Sequence, residues 1–276
     1  MNWKQLAVVP SALFLSLTLV GCGEGMDGMD PMNNLATTEQ ASHSWGGYHW
    51  ARTSNPFLVK LGNNTSSQWG SYVSTASSDW SKSTVLDTTV VAGAGLNRCG
   101  AVAGRVEVCN DTYGSNGWLG LASIWASGGH ITQGTVKLND TYYNTTKYNT
   151  PAWRASVTCQ EIGHTFGLAH NDEDFSTVTG TCMDYANDPS QNQHPNTHDY
   201  DMLKSIYAHL DSTTTVSSNN PPAAGAMIPP ALDNADDRSA WGEHVATSPN
   251  GRAEIYVRQM GDWTLITEVT RVLPND

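Results

Sequence analysis

The run Gln160-Glu161-Ile162-Gly163-His164-Thr165-Phe166-Gly167-Leu168-Ala169-His170 constrains this chain more than any other stretch. On a helix, residues four apart lie one above the other, so Gln160 and His164 share a face and Glu161 lies beside it. Gly167 permits a sharp turn out of that helix, which lets His170 return to the same point from the other side. Imidazoles gathered in this way are zinc ligands. A carboxylate next to them is placed to take a proton from a water that the metal polarises, and to hand it on to a leaving group.

The rest of the chain supplies the frame. Thr150-Pro151 reads as an N-cap followed by proline at the first helical position, predicting a helix to Phe166 with Gly167 as its stop. A second helix is predicted from Thr197, with Asp199 and Asp201 in its first turn and Leu203, Ile206, Tyr207 and Leu210 on one face. Upstream, loose alternation from Trp50 to Leu61 predicts a strand. Trp69, Tyr72, Val73, Ala76 and Trp80 then fall at helical spacing. Four short β-branched or aromatic runs follow, at 85–91, 105–109, 118–125 and 135–138. The fold class expected is therefore α+β. Residues 42–211 form the main domain, and 212–238, rich in Ser, Thr, Asn, Pro and Ala, form a linker. Residues 239–276 read as a small β-hairpin tail, with runs at 253–258 and 263–272 around Met260-Gly261-Asp262. The tail is too short to stand alone and is expected to dock on the main body.

The N-terminus indicates the compartment. Residues 1–21 carry Lys4 and then an apolar run from Leu6 to Val20, broken by Pro10 and Ser11, which reads as an export signal and not as a membrane span. Leu19-Val20-Gly21-Cys22 resembles the bacterial lipobox, in which the signal is cleaved before a cysteine that becomes lipidated. Cys22 is then the membrane anchor, and 22–41, rich in Gly, Met, Asp and Asn, is a flexible tether. The expected location is a bacterial membrane surface outside the cytoplasm. A formal charge of −12 argues against a nucleic-acid partner, and ten Trp with ten Tyr supply large buried area despite few aliphatic residues. With Cys22 lipidated, Cys99, Cys109, Cys159 and Cys182 remain, an even number that admits three disulfide connectivities.

Glu161, His164, Gly167, His170 and, downstream, Met183 resemble the metzincin metallopeptidases, whose motif is His-Glu-x-x-His-x-x-Gly-x-x-His followed by a Met-turn. The similarity spans roughly residues 45–210. It implies a zincin-like fold: a twisted mixed β-sheet, an active-site helix, and a C-terminal helix after the Met-turn. It also implies a monomeric metalloendopeptidase with one catalytic Zn2+, acting on proteins or peptides outside the cytoplasm. By the same resemblance Trp118 to Ile124 is the edge strand that receives extended substrate. Met183 is the floor beneath the metal, and Tyr185, two places on, is a possible extra ligand as in astacin-like and serralysin-like members. Cys99 with Cys109 and Cys159 with Cys182 are the pairs expected, the second joining the motif helix to the Met-turn.

One position departs from the motif: Gln160 stands where the family has its first histidine, and a neutral amide lies outside the usual zinc donor set. Three readings stay open. Gln160 coordinates through its oxygen, Tyr185 takes its place, or the chain is a non-catalytic surface lipoprotein that holds extended peptide or metal in the same cleft. Lesser candidates are His194 with His198, a pair that Pro195 interrupts, and His130 in a turn before a strand. The acids Asp172, Glu173 and Asp174 could take Ca2+.

Overall fold

A computed structural model describes residues 44–171, 178–217 and 236–272. The leader, Cys22, the tether to 41, the acids Asp172, Glu173 and Asp174, and most of the linker lie outside the described residues. The architecture is mixed α+β, a large sheet with few helices. In chain order the elements are β1 (His49–Trp50), β2 (Phe57–Asn64), α1 (Gly70–Trp80), β3 (Leu86–Ala92), β4 (Arg105–Asp111), β5 (Trp118–Ser127) and β6 (His130–Asn139). They continue with α2 (Asp140–Tyr143), α3 (Pro151–His164), α4 (Thr197–Ile206), α5 (Arg238–Trp241), β7 (Glu243–Thr247), β8 (Ala253–Met260) and β9 (Trp263–Arg271).

The sheet runs β3-β2-β4-β6-β5-β9-β8-β7, with β1 beside the start of β6. Its first half is parallel, because the crossover through α1 returns β3 alongside β2 in the same direction. Its second half is antiparallel and built from hairpins. Helix α3 packs against α1, β5 and β6. The main core gathers Trp50, Trp69, Trp80, Val106, Val136, Ile162 and Phe166 between helices and sheet. The opposite face of the antiparallel half carries two smaller clusters, one around Trp118, Leu121, Trp241, Tyr256 and Val269, the other around Trp125, Trp263 and Leu265.

Two expectations are corrected here. The strand at Trp118–Ile124 is not an edge: β9 pairs with β5 from Trp118↔Arg271 to Ala126↔Thr264, filling the side where an extended substrate was expected. The tail, read as a small hairpin or sheet that docks on the main body, is three strands that join the main sheet itself through β9 on β5. The physical reason is the composition of β9, which is buried from Trp263 to Thr270 and alternates apolar residues with threonines, so both of its faces need cover. The turn into it takes two residues, with Gly261 at a φ of +66° that suits a tight hairpin. The new edge, β7, places exposed Glu243 and His244 where a free strand would otherwise invite pairing. Helix α4 also stops at Ile206, so Leu203 and Tyr207 are buried while Leu210 lies outside the helix and exposed.

Candidate metal centre

Helix α3 begins as its sequence dictates: the Thr150 side chain accepts a hydrogen bond from the Trp153 amide, and Pro151 occupies the first turn. The carbonyls just past its end are satisfied by distant side chains. The Trp50 indole donates to Thr165 O at 2.9 Å, and the Tyr207 hydroxyl donates to Phe166 O at 2.9 Å. The chain then leaves the helix at Gly167, where φ is +94° and a Cβ would overlap the Tyr48 carbonyl, so no other residue fits this turn. That turn brings His170 back to His164, with their Nε2 atoms 3.1 Å apart.

The two rings are oriented from behind. His164 Nδ1 lies 2.8 Å from Leu168 O, and His170 Nδ1 lies 2.8 Å from Glu268 Oε1 on β9. The Leu168 carbonyl can only accept, so the His164 proton is on Nδ1 and its Nε2 lone pair is turned toward His170. The 3.1 Å between the two Nε2 atoms is close to the ~3.3 Å that separates donors around a tetrahedral ion with bonds of ~2.0–2.1 Å. Trp45 stacks on His164 at 5.4 Å between ring centroids, and Tyr185 lies against His170 at 4.1 Å. His164, His170 and Glu268 each offer a ligand atom, all within 4.8 Å of one another. Two imidazoles belong to the zinc donor set, and carbonyl and carboxylate partners behind them, here Leu168 O and Glu268, are what metal-bound histidines need. The residues fit a divalent metal.

Glu268 is the residue that sequence reasoning missed. It comes from the tail, is fully buried, and sits opposite Ala122 of β5. Burial pushes its carboxyl up to about 7, although His164 and Trp45 pull the other way. Thr270, two residues on and therefore on the same face, donates its hydroxyl to Gln160 Oε1 at 3.2 Å. The pairing is a matter of rise: four helical residues span roughly 6 Å and two strand residues roughly 6.8 Å, so Glu268 meets His164 where Thr270 meets Gln160. Gln160, expected as a metal ligand, thus has its amide oxygen engaged by the tail. The signal for Glu268 was a single acid in the otherwise apolar and hydroxyl run Leu265–Thr270.

Glu161 is fully buried beside Gly120 of β5, and a Cβ at Gly120 would overlap its carboxylate. Burial pushes its carboxyl well above the ordinary range; the nearby Thr270 hydroxyl offsets part of this, and the Glu268 carboxylate adds to it. Met183 is buried against Gly163, where a Cβ would overlap its sulfur, so the Met-turn sits directly under α3. Disulfides join Cys159 to Cys182, tying α3 to that turn, and Cys99 to Cys109. From the tail, Arg252 is buried and reaches over the Tyr185 and Trp153 rings, at 5.9 and 6.0 Å. His194 is elsewhere, its Nδ1 2.6 Å from Asp79 Oδ2.

Among the described residues, no helix is long and apolar enough to cross a membrane. No protein-family model matches the chain, and no curated protein matches it. Among solved structures it is similar to the structure of myroilysin, with a TM-score of 0.35 and 11% identity, over 58% of this chain and 96% of that one. Nothing is carried over to this chain from so distant a likeness.

Proposed function

We propose that this chain is an exported, zinc-dependent endopeptidase whose cleft is held closed by its own C-terminal strands. The observation that carries this reading is the pair of imidazole Nε2 atoms 3.1 Å apart, each oriented from behind, on the helix that also bears Glu161. His164 and His170 would hold a zinc ion, which when bound would supply Lewis-acid polarisation of a peptide carbonyl and of water. The chain supplies the rest. Glu161 accepts the proton as a water oxygen adds to the carbonyl carbon, and returns it to the nitrogen as the C–N bond breaks.

The closed sheet sets the conditions for that step. With β9 on β5, substrate has no edge of β5 to join, and burial pushes the Glu161 carboxyl up, disfavouring the ionised form that acts as a base. Displacement of β9 removes Glu268 from the histidines and Thr270 from Gln160, freeing the amide oxygen to serve as third donor, with Tyr185 beside His170. Tail and substrate would use the same edge in the same way, by antiparallel pairing. Two disulfides support an oxidising compartment, and lipidation at Cys22 would keep the enzyme on its membrane, acting on neighbouring proteins.

A second reading is favoured by one observation: β5 is paired along its length, and Glu161 lies wholly inside. In that case the protein is a non-catalytic lipoprotein that holds metal. Hydrolysis of a mixed peptide library separates the two. It is measured on the zinc-supplied full chain, on the Glu268→Gln/Thr270→Val double variant, and on a chain cut at a protease site placed within 221–230. The peptidase reading expects weak cleavage by the intact chain and stronger cleavage by the other two, abolished by chelator and by Glu161→Gln. Folded, zinc-loaded forms that cleave nothing would establish the non-catalytic reading.

A further inference from the structure

A second group of histidines gathers at the other end of β1 and β6. His49 is in β1, His130 is its parallel partner at the start of β6, and His209 and Asp211 follow α4. Three imidazole Nε2 atoms approach one carboxylate oxygen, Asp211 Oδ1: His130 at 3.2 Å, His209 at 3.5 Å and His49 at 3.6 Å. The ligand atoms of His49, His209 and Asp211 all lie within 4.8 Å of one another.

Each partner is held from behind. The other Asp211 oxygen, Oδ2, accepts the Arg52 amide at 2.9 Å, and the Asp211 amide donates to Arg52 O at 2.8 Å, so Oδ1 is fixed toward the histidines. His49 Nδ1 lies 2.9 Å from Gly47 O, which assigns its proton to Nδ1 and leaves a lone pair on Nε2. That Nε2 is buried and makes no hydrogen bond among the described residues. Asp211 Oδ1 accepts its hydrogen bond from His130 Nε2 at 3.2 Å, while the buried His49 Nε2 lone pair faces the same oxygen at 3.6 Å without a hydrogen bond, a gap that a cation bound to both would fill. The 3.6 and 3.5 Å from His49 and His209 to Asp211 Oδ1 are close to the ~3.3 Å between neighbouring donors on a tetrahedral zinc.

We propose that His49, His209 and Asp211 form a second divalent-metal site, with zinc the best-matched ion, and that His130 orients its carboxylate from outside by the hydrogen bond to Asp211 Oδ1. Its role is structural. It clips β1 to the segment after α4, reinforcing hydrogen bonds that already join them, Thr215 N to Ala51 O at 3.0 Å and Ala51 N to Thr215 Oγ1 at 2.9 Å. None of its residues belongs to the central cluster.

The test is zinc stoichiometry and affinity of the full chain, by metal analysis after equilibrium dialysis and by titration calorimetry with zinc alone. His209→Ala is the primary variant, because that side chain is largely exposed and its loss leaves the core intact. Two ions per chain are expected in the parent and one in His209→Ala. Removal of this ligand should weaken the site by more than the ~10–100-fold that loss of an outer partner costs, and His130→Gln by about 10-fold. His170→Ala is run beside it to identify the central ion, so the two sites fail independently. A single parental ion lost in His209→Ala, and kept in His170→Ala, supports this site and removes the central one. Zinc binding unchanged in His209→Ala, or no binding at all, overturns it.

Discussion

The two histidine clusters differ in burial, origin and what holds them. The central one is wholly buried, rests on a helix and the turn after it, and is completed by Glu268 nearly a hundred residues away in sequence. The outer one is partly exposed, at 60% for the His209 side chain, and no two of its members except His209 and Asp211 are close in the chain. A buried site excludes water and makes every charge costly unless partnered, so its occupant controls proton position as well as shape. A surface group of the same donor types stays hydrated, so pairing it costs and gains less. Desolvation, not the ligand types, is what sets the two clusters apart.

The largest effect should separate the clusters by function. Glu161→Gln is expected to lower peptide turnover of the opened chain by ~100-fold or more while leaving zinc stoichiometry at both clusters unchanged. Equal turnover in parent and variant would remove Glu161 from the chemistry. Next, replacing Cys159 and Cys182 by serine should cost about 3 kcal/mol in urea unfolding, since the bridge closes a loop with a sequence separation of 23. It should loosen zinc at the central cluster only, because the bridge ties α3 to the Met-turn. A matching loss at the outer cluster would mean the two are mechanically coupled.

Glu268 has its folded pKa raised from 4.5 to about 7, so between those values the unfolded chain releases a proton that the folded chain retains. The Glu268 contribution to stability of the metal-free protein should therefore fall as pH rises from about 4.5 to 7 and level off above, and it should be absent in Glu268→Gln. Thermal unfolding of both proteins across that range checks it, and an unchanged slope in the variant would place its origin elsewhere. The smallest effect is Thr270→Val, which removes a hydroxyl from Gln160 and should cost about 1 kcal/mol, read by denaturant unfolding. A cost above ~3 kcal/mol would give Thr270 a larger part in holding β9 than one hydrogen bond supplies.

Much of the central cluster was legible because its signals are local. Thr150-Pro151 starts the helix, the spacing of 160 and 164 sets a face, and Gly167 ends it where only glycine fits against Tyr48. The strands of the parallel half were visible as short β-branched runs. What was not legible was which strand β5 would accept on its free side. Trp118–Ile124 carries no mark that distinguishes an edge awaiting substrate from one filled by the chain itself. The alternation in β9 announces a strand and a register but not its partner, and Glu268 gains meaning only from that partner.

The sequence by itself determined a metal-compatible helix with a returning histidine, a neighbouring carboxylate, and four cysteines able to brace the fold. Only the tertiary structure decided that β9 lies on β5, that Glu268 and Thr270 meet His164 and Gln160, and that His49, His130, His209 and Asp211 converge. The physical reason is range. Helix caps, i to i+4 spacing and positive φ act within a few residues, whereas strand pairing is settled by which distant surfaces gain most from leaving water together.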